Sequence, residues 1–297
     1  TAVLSHVSTA EATTVLYVPQ DDRPVSLAYT VATAQDAGYT VLTPPQYYIS
    51  GRNFQGNAEA IWKWVDENAS KADVFVLSTD SLIYGGLVDS RKHNLELHTL
   101  EYRVRHIEEL HKQYPNIPMY AFGTVMRSPR ASGGGVEPSY YDTYGPTIFR
   151  IAALQDKLDS QKLTDEQKEL FTLQATVPVE FLQDWFHRRQ KNMQINRELI
   201  DITKKGVFQY FALGHDDTSS LSQSAMEGRY LQKYSKGLSP TQYGSFPGAD
   251  QLGLLLIARD HVDRNHLRPT FEVMYPLGGG GDTVPHYEDQ KVEKTIA

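Results

Sequence analysis

The sequence predicts an α/β protein with a mostly parallel sheet and helices on both of its faces. Apolar runs alternate along the chain with helical patterns, and several of these runs are continuous, as in strands buried on both faces. The chain of 297 residues, of which 40% are hydrophobic, is long enough for a large core. About six strands are recognisable, and a closed barrel has about eight. We therefore favour an open doubly wound sheet and keep an irregular or incomplete TIM-type barrel as the alternative.

The predicted strands follow the apolar runs in chain order. They span residues 15–19, 40–43, 73–78, 117–122, 207–213 and 271–275. Helices are predicted at 58–69, where Asn57 is a suitable N-cap, at 100–113, and at 250–261. The interval between the fourth and fifth strands holds three more helical patterns, at 146–158, 164–173 and 178–205. This interval is longer than a single crossover requires.

The domain organisation is one α/β domain at 15–297 with a helical insertion at about 146–205. Residues 1–14 are interpreted as a disordered tail or the remnant of a signal peptide, because Ala10-Glu11-Ala12 is a small-x-small triplet. We expect a secreted or cell-surface bacterial protein. The chain has no cysteine, which excludes disulfides, thiol catalysis and thiolate metal sites.

Charge and aromatic content restrict the classes of partner. The net charge is −7 and no Lys/Arg block is present, so nucleic acid is not expected to bind. No apolar run has the length of a membrane span. The 18 tyrosines suit carbohydrate or another small polar ligand, because each ring offers an apolar face and a hydroxyl; they also suit the edge of a core.

Carboxylates recur where predicted strands end, which is where ligands bind in both sheet architectures. Four of the five strand ends that we compared carry at least one. The residues are Asp21 and Asp22 after the first strand, Asp80 after the third, Asp216 and Asp217 after the fifth, and Asp282, Glu288 and Asp289 after the last. Arg127 follows the fourth strand. We expect the two aspartate pairs to face each other across a site.

Each of these residues also has a purely structural interpretation. Asp21 or Asp22 would cap the following helix while Arg23 pairs with the other aspartate. His215 would be a satisfied core histidine, and Asp250 an N-cap. The helix over residues 181–204 places Arg189, Asn192 and Asn196 on one face. We call these three residues the polar stripe; it faces either a binding site or the solvent.

Three functions are compatible with clustered carboxylates. Two carboxylates that flank a glycosidic bond serve as general acid and as nucleophile or base. The same aspartates are ligands for a divalent cation, and His215 would extend the set to Mn²⁺ or Zn²⁺ hydrolysis. The third possibility is a non-catalytic carbohydrate-binding or scaffold protein. The chain lacks GxGxxG, GxxxxGK[ST], HExxH and GxSxG motifs, so nucleotide-dependent and serine-hydrolase chemistry is not indicated.

Seven segments together resemble the bacterial family catalogued as domain of unknown function 4127 (DUF4127). They are VLYVPQDDRPVS, STDSLIYGGLVDSR, GTVMRSP, VEPSYYDTYG, FHRRQKNMQINREL, HDDTS and PGADQLGLLLIAR. The resemblance runs from about residue 15 to about 289 and adds Glu137 and Tyr140 to the candidates. Gln251 stands where the family pattern implies an acidic residue, and Gln290 where it implies arginine. It also implies a longer chain, of which this one would be a truncated or processed form.

The sequence therefore predicts a carbohydrate hydrolase, most simply a glycoside hydrolase on a polysaccharide or cell-wall glycan. The catalytic candidates are Asp21, Asp22, Asp80, Glu137, Asp216 and Asp217. The substrate-binding candidates are Arg23, Tyr84, Arg127, Tyr140, Arg189, Asn192 and His215. No cofactor is required by this prediction, and a divalent cation belongs to the metal-dependent alternative.

Overall fold

The computed structural model describes residues 12–296, which form a six-stranded sheet with helices on both faces. The strands are β1 (Thr14–Val18), β2 (Thr40–Leu42), β3 (Val74–Ser78), β4 (Met119–Val125), β5 (Tyr210–His215) and β6 (Tyr243–Pro247). Their order is β2-β1-β3-β4-β5-β6, and every neighbouring pair is parallel. Among these residues the sheet does not close, so the open α/β architecture is confirmed and the barrel alternative is wrong.

Eleven helices of the described residues surround this sheet. They are α1 (Ala28–Asp36), α2 (Ala58–Asn68), α3 (Thr79–Ile83), α4 (Leu87–Lys92), α5 (Leu97–Gln113), α6 (Tyr141–Ser160), α7 (Thr164–Gln174), α8 (Val179–Lys204), α9 (Gln223–Tyr234), α10 (Leu252–Arg264) and α11 (Val292–Ile296). The Asn57 side chain accepts a hydrogen bond from the Ala60 N–H, which confirms the predicted N-cap of α2. No helix among residues 12–296 has the length and apolar composition needed to cross a membrane.

The two faces of the sheet bury separate apolar cores, because strand side chains alternate between the faces. On one face, Leu16 and Phe75 pack with residues of α2, α5 and α8. On the other, Tyr17 and Val76 pack with residues of α1 and α10. The chain therefore leaves β1 toward one face and β3 toward the other.

This reversal creates a crevice at the carboxyl ends of β1 and β3, which are neighbours in the sheet. In open α/β sheets such a crevice is where ligands bind, because the two departing loops diverge there. Ligand-binding residues are therefore expected in the segments that follow β1 and β3.

The predicted strand at 271–275 is wrong. That segment has no strand, and Phe271 and Met274 are 80% and 76% exposed. The sixth strand is instead Tyr243–Pro247, which contains Gly244 and Ser245 and lies at the edge of the sheet. An edge strand is only half-buried, so it does not need the continuous apolar run that revealed the central strands.

The helical interval between β4 and β5 is present as predicted, at Tyr141–Ser160, Thr164–Gln174 and Val179–Lys204. A third apolar cluster, which includes Tyr141, Ile148 and Trp185, packs α6 against the first half of α8. The second half of α8 contributes Ile195 and Leu199 to the sheet core. The signal-like triplet begins at residue 10 and lies largely outside the described residues.

Candidate functional site

Asp80 is a buried carboxylate at the carboxyl end of the sheet. It lies in the first turn of α3, immediately after β3, and it is 3% exposed. The Thr124 hydroxyl on β4 donates a hydrogen bond of 2.7 Å to its Oδ2. Gly123 permits this close approach of α3 to β4, because a Cβ there would lie 2.2 Å from the Thr79 Oγ1. Strand β4 thus fixes the orientation of the Asp80 carboxyl.

Burial raises the pKa of the Asp80 carboxyl to about 7; the hydrogen bond from Thr124 opposes this rise and the charge of Asp216 adds to it. The cause is physical: a carboxylate that leaves water loses solvation, and a second negative charge disfavours ionisation further. Near neutral pH, Asp80 is therefore able to hold or release a proton. A general acid needs this property.

Asp216 follows β5 and pairs with a buried arginine from a distant part of the chain. The Arg91 Nη2 on α4 donates a hydrogen bond of 2.6 Å to the Asp216 Oδ2, and both side chains are at most 9% exposed. The Arg91 Nη1 also lies 3.9 Å from the Glu137 Oε1. Arg91 thereby joins two of the predicted carboxylates.

Arg127 links the buried Glu137 to Asp217, whose side chain is partly exposed. Its Nε donates to the Glu137 Oε1 at 2.6 Å, and its Nη1 donates to the Asp217 Oδ2 at 2.6 Å. The second Glu137 oxygen accepts the Gly133 N–H at 2.7 Å. Asp217 has a φ of 35°, a left-handed conformation that is uncommon for residues other than glycine.

We call these connected residues the central network: Asp80, Arg91, Arg127, Glu137, Asp216 and Asp217. A cleft of about 620 Å³ opens beside it, with Asp217 as the shared residue. Arg130, Phe149 and Tyr287 also line this cleft. Its size is within the range of small-molecule sites, and it offers both aromatic faces and charged groups.

Asp21 lies apart from the central network. The Arg23 Nε donates to the Asp21 Oδ2 at 2.8 Å, and the Arg23 Nη2 donates to the Asp250 Oδ1 at 2.7 Å. Helix α1 begins only at Ala28, preceded by Leu27 without a side-chain cap. The capping interpretation of Asp21 and Asp22 is therefore wrong, and the pairing of one aspartate with Arg23 is confirmed.

The expectation that the two aspartate pairs face each other does not fit the strand order. β1 and β5 are separated by β3 and β4, so three steps of about 4.8 Å place them about 14 Å apart. It is Asp80, which follows the intermediate β3, that is electrostatically coupled to Asp216. Asp22 is half-buried; burial and the charge of Asp21 raise its pKa.

The polar stripe of α8 faces the protein interior, not the solvent. Arg189 donates to the main-chain carbonyls of Met126 and Arg127 and pairs with Glu227 at 2.7 Å. The Asn196 Nδ2 donates to the Thr124 carbonyl at 3.2 Å. These side chains therefore hold the end of β4, on which Thr124 and Arg127 depend.

Asn192 completes the stripe by fixing α4 and the residue that follows it. Its Nδ2 donates to the Ser90 carbonyl at 2.9 Å, and its Oδ1 lies 2.7 Å from the His93 Nε2. The Leu95 N–H donates to the His93 Nδ1, so the Nε2 carries the proton. Burial lowers the pKa of His93 to about 4, which keeps the imidazole neutral. Arg91, on the same helix as Ser90, is positioned in this way.

The two candidate tyrosines lie outside the central network. Tyr84 is 8% exposed, stacks on His93 at 4.9 Å between ring centroids, and lines a separate cleft of about 640 Å³ with Asp89 and Lys92. The Tyr140 hydroxyl donates to the Asp184 Oδ2 at 2.6 Å.

His215 forms hydrogen bonds with both of its ring nitrogens. The Nδ1 contacts Asp289 and the Nε2 contacts Ser245.

Comparison with protein families matches residues 15–297 to the family described as "Protein of unknown function (DUF4127)". The chain belongs to this family. A search of curated proteins finds no match to the chain. The family assignment confirms the resemblance inferred from the seven sequence segments.

The two departures from the family pattern have defined positions in this DUF4127 member. Gln251 is exposed at the start of α10, next to the Asp250 that pairs with Arg23. The Gln290 Nε2 donates to the Thr295 Oγ1 at 3.0 Å, within the C-terminal segment. Neither glutamine is a member of the central network.

Arg91 and Thr124 are the members of the site region that the sequence analysis missed. Arg91 closes the segment STDSLIYGGLVDSR, and the charge balance of the site was the signal that could have revealed it: buried carboxylates require buried cations. Asp250 was treated only as an N-cap, yet it pairs with Arg23.

The carboxylates of the central network accept hydrogen bonds from arginine, main-chain N–H or threonine groups. Within residues 12–296, no group of three or more His, Asp or Glu side chains is arranged to hold a metal ion. Arginines lie beside three of these carboxylates, those of Glu137, Asp216 and Asp217.

Proposed function

We propose that this DUF4127 protein is a glycoside hydrolase that acts on a polysaccharide or cell-wall glycan. Asp80 is the general acid in this proposal, and Asp216 is the carboxylate that works with it as nucleophile or base. The single observation that carries the proposal is the buried Asp80 carboxyl, whose pKa is raised to about 7 beside a second carboxyl. Glycosidases need such a pair, one group protonated and the other charged.

The different surroundings of the two carboxyls support their different roles. Asp80 accepts its hydrogen bond from a neutral hydroxyl, that of Thr124. Asp216 pairs with the Arg91 guanidinium at 2.6 Å. The buried location of Asp80 favours its protonated form, while the hydrogen bond from Thr124 opposes it, and the Arg91 guanidinium supplies a positive charge beside Asp216. Environment rather than residue type thus separates acid from base.

The cleft beside Asp217 is the proposed substrate site. It offers Phe149 and Tyr287 as apolar surfaces for sugar rings and Arg130 and Asp217 as polar partners. Arg127 links this cleft to Glu137 and so to the buried part of the network. Export to the cell surface, as suggested by the triplet at residues 10–12, belongs to the same proposal, since glycans of this kind are extracellular.

Buried carboxyls favour a catalyst over a protein that only binds carbohydrate. A binding protein requires hydrogen-bonding and stacking groups, but it gains nothing from a carboxyl with a pKa near 7. Keeping such a carboxyl buried costs stability whenever it ionises. We therefore rank turnover above binding.

The proposal is tested with the purified chain on a panel of aryl glycosides and bacterial cell-wall glycans, followed by release of reducing sugar. We expect kcat/KM to fall as pH rises through about 7, because Asp80 then loses the proton that it must donate. Asp80→Asn should lower kcat by about 100-fold or more at pH 6, since general acid catalysis contributes about that much.

Asp36→Asn is the matched control, because Asp36 is an exposed aspartate at the end of α1. It should leave both the rate and the pH profile unchanged. Full activity of Asp80→Asn with an unaltered pH profile would refute the proposed role of Asp80. Glycan binding by titration calorimetry without release of any sugar would establish the binding-protein alternative instead.

A further inference from the structure

A second group of residues has the connectivity of an activated serine. The Ser245 Oγ on β6 lies 2.9 Å from the His215 Nε2 at the end of β5. The other ring nitrogen, Nδ1, lies 2.9 Å from the Oδ2 of Asp289 in the C-terminal segment. We call Ser245, His215 and Asp289 the serine relay. None of them belongs to the central network.

The hydrogen bonds of the serine relay require one arrangement of protons. An ionised carboxylate only accepts, so the His215 Nδ1 carries the hydrogen that points to Asp289. The Nε2 then presents its lone pair to the Ser245 hydroxyl, which donates. This is the tautomer that a general base needs in order to take a proton from serine.

The register of β5 and β6 and the packing of α9 hold this arrangement. Ser245 pairs with Leu213 in the parallel ladder, and Leu213 and His215 are two residues apart, so all three side chains share one face of the sheet. Gly228 of α9 packs against the imidazole, where a Cβ would lie 2.8 Å from the His215 Cε1. A larger residue at that position would displace the ring.

The nucleophile is also accessible. Ser245 is partly exposed, whereas the His215 and Asp289 side chains are only 11% and 13% exposed. β6 is the last strand in the sheet order, so its outer edge has no strand neighbour among the described residues. The base and the orienting carboxylate are therefore shielded, while the serine on the edge strand stays partly exposed.

We propose that Ser245 is a nucleophile that hydrolyses carboxylic esters. Its Oγ forms a bond to the ester carbonyl carbon as its proton passes to the His215 Nε2. The tetrahedral intermediate expels the alcohol, which takes the proton from His215, and an acyl-serine remains. Water then attacks the acyl-serine with the same proton transfers and releases the carboxylic acid. Asp289 is a positioning residue that keeps the imidazole in the required tautomer.

The first test is labelling of the full chain with a fluorophosphonate probe, and the modified residue is located by peptide mass spectrometry. We expect the adduct on Ser245, together with a burst of p-nitrophenol from p-nitrophenyl acetate. This measurement needs no variant, so it does not depend on the folding of any substituted protein.

Variants then assign the roles. Ser245→Ala should abolish the labelling, and Ser160→Ala, at an exposed serine on α6, should leave it unchanged. Asp289→Asn should slow labelling by roughly tenfold or more, and Asp289→Glu should restore part of the rate, because the tautomer rather than the fold is affected. Thermal melting of each variant reports the fold separately.

A wild-type chain that is unlabelled, or labelled only at other residues, would overturn the proposal. The serine relay would then serve only to fasten the C-terminal segment to β5, and Asp289→Asn would lower the melting temperature without any change in reactivity. The result is independent of the glycan assay, because Ser245 and Asp289 have no part in the proposed glycosidase chemistry.

Discussion

Two pairs of adjacent aspartates follow apolar strands in this protein, and they have different surroundings. Asp21 takes its cation from Arg23, two residues away, whose side chain is 42% exposed. Asp216 takes its cation from Arg91, 125 residues away, and both side chains are nearly buried. Asp21 is buried as well, so the same dipeptide forms a local pair with a half-exposed arginine in one region and a fully buried long-range pair in the other.

The difference shows that burial, and not the dipeptide, determines the chemistry available. Where solvent reaches one partner, as it reaches Arg23, the pair is screened and its electrostatics contribute less to stability and to reactivity. A buried pair shifts the ionisation of its neighbours, as Asp216 does for Asp80. The reactive carboxyl of the proposed site is Asp80, which is not part of either dipeptide.

The largest expected effect comes from removing the buried cation. Arg91→Met should lower the free energy of unfolding by about 3–5 kcal/mol, because Asp216 would remain buried without its partner. Arg23→Met should cost less, about 1 kcal/mol, because the Arg23 side chain is 42% exposed and its second partner Asp250 is exposed as well. Urea denaturation of both variants measures the contrast, and equal losses would contradict the distinction between the two regions.

The pH dependence of stability should distinguish the same two regions. The folded protein binds the Asp80 proton more tightly than the unfolded chain does, because its pKa is raised to about 7. Stability contributed by this group is therefore fully present below about pH 4 and is lost as pH rises to about 7. At about 1.4 kcal/mol per pH unit, the loss is up to about 4 kcal/mol.

Asp80→Asn should remove this loss, so the difference in unfolding free energy between variant and wild type should grow in favour of the variant from pH 4 to pH 7. Asp36→Asn provides the exposed reference. Denaturation at several pH values gives the comparison. A constant difference across this range would show that Asp80 ionises as readily as an exposed aspartate.

A smaller effect is expected in the helix that supports the buried region. Asn192→Leu should cost about 1–3 kcal/mol, because the His93 Nε2 and the Ser90 carbonyl would lose their partner. Gln190→Leu changes an exposed position of the same helix and should be nearly neutral. If both variants unfold at the same urea concentration, the α8 stripe does not support the site.

The smallest effect concerns the cap of α2 and its comparison with Asp22. Asn57→Ala should cost about 1 kcal/mol, because the Ala60 N–H loses its hydrogen-bond acceptor. Asp22→Ala should change the free energy of unfolding by no more than about 0.5 kcal/mol, since Asp22 caps no helix. A cap-sized loss in Asp22→Ala would restore the interpretation that the structure rejects.

Local patterns predicted the central strands and six of the eleven helices in the described part of the chain. Val74–Ser78 is buried throughout and therefore reads as an uninterrupted apolar run. The edge strand Tyr243–Pro247 was missed because half-burial allows glycine and serine within it. The opposite error occurred at Phe271, where an apolar residue lies exposed outside any strand. Composition alone does not tell a buried apolar run from an exposed one.

Within the candidate site, the sequence identified the four carboxylates of the central network and Arg127, but not the Arg91 that pairs with Asp216. Strand ends pointed to Asp80 and Asp216, and the family resemblance added Glu137. Arg91 stands 125 residues from Asp216, and no local rule connects residues at that distance. The serine relay was missed for the same reason, since Ser245, His215 and Asp289 come from three separate segments.

By itself, the sequence determined the α/β class, the family and the position of acidic residues at strand ends, because periodicity and short motifs are local properties of the chain. The tertiary structure alone decided which aspartate pairs with which arginine, which carboxyl is desolvated, and that β1 and β5 stand apart. Desolvation and ion pairing depend on what surrounds a group in space. For that reason the adjacent aspartates at 21 and 22 proved to be neither a helix cap nor the centre of the network.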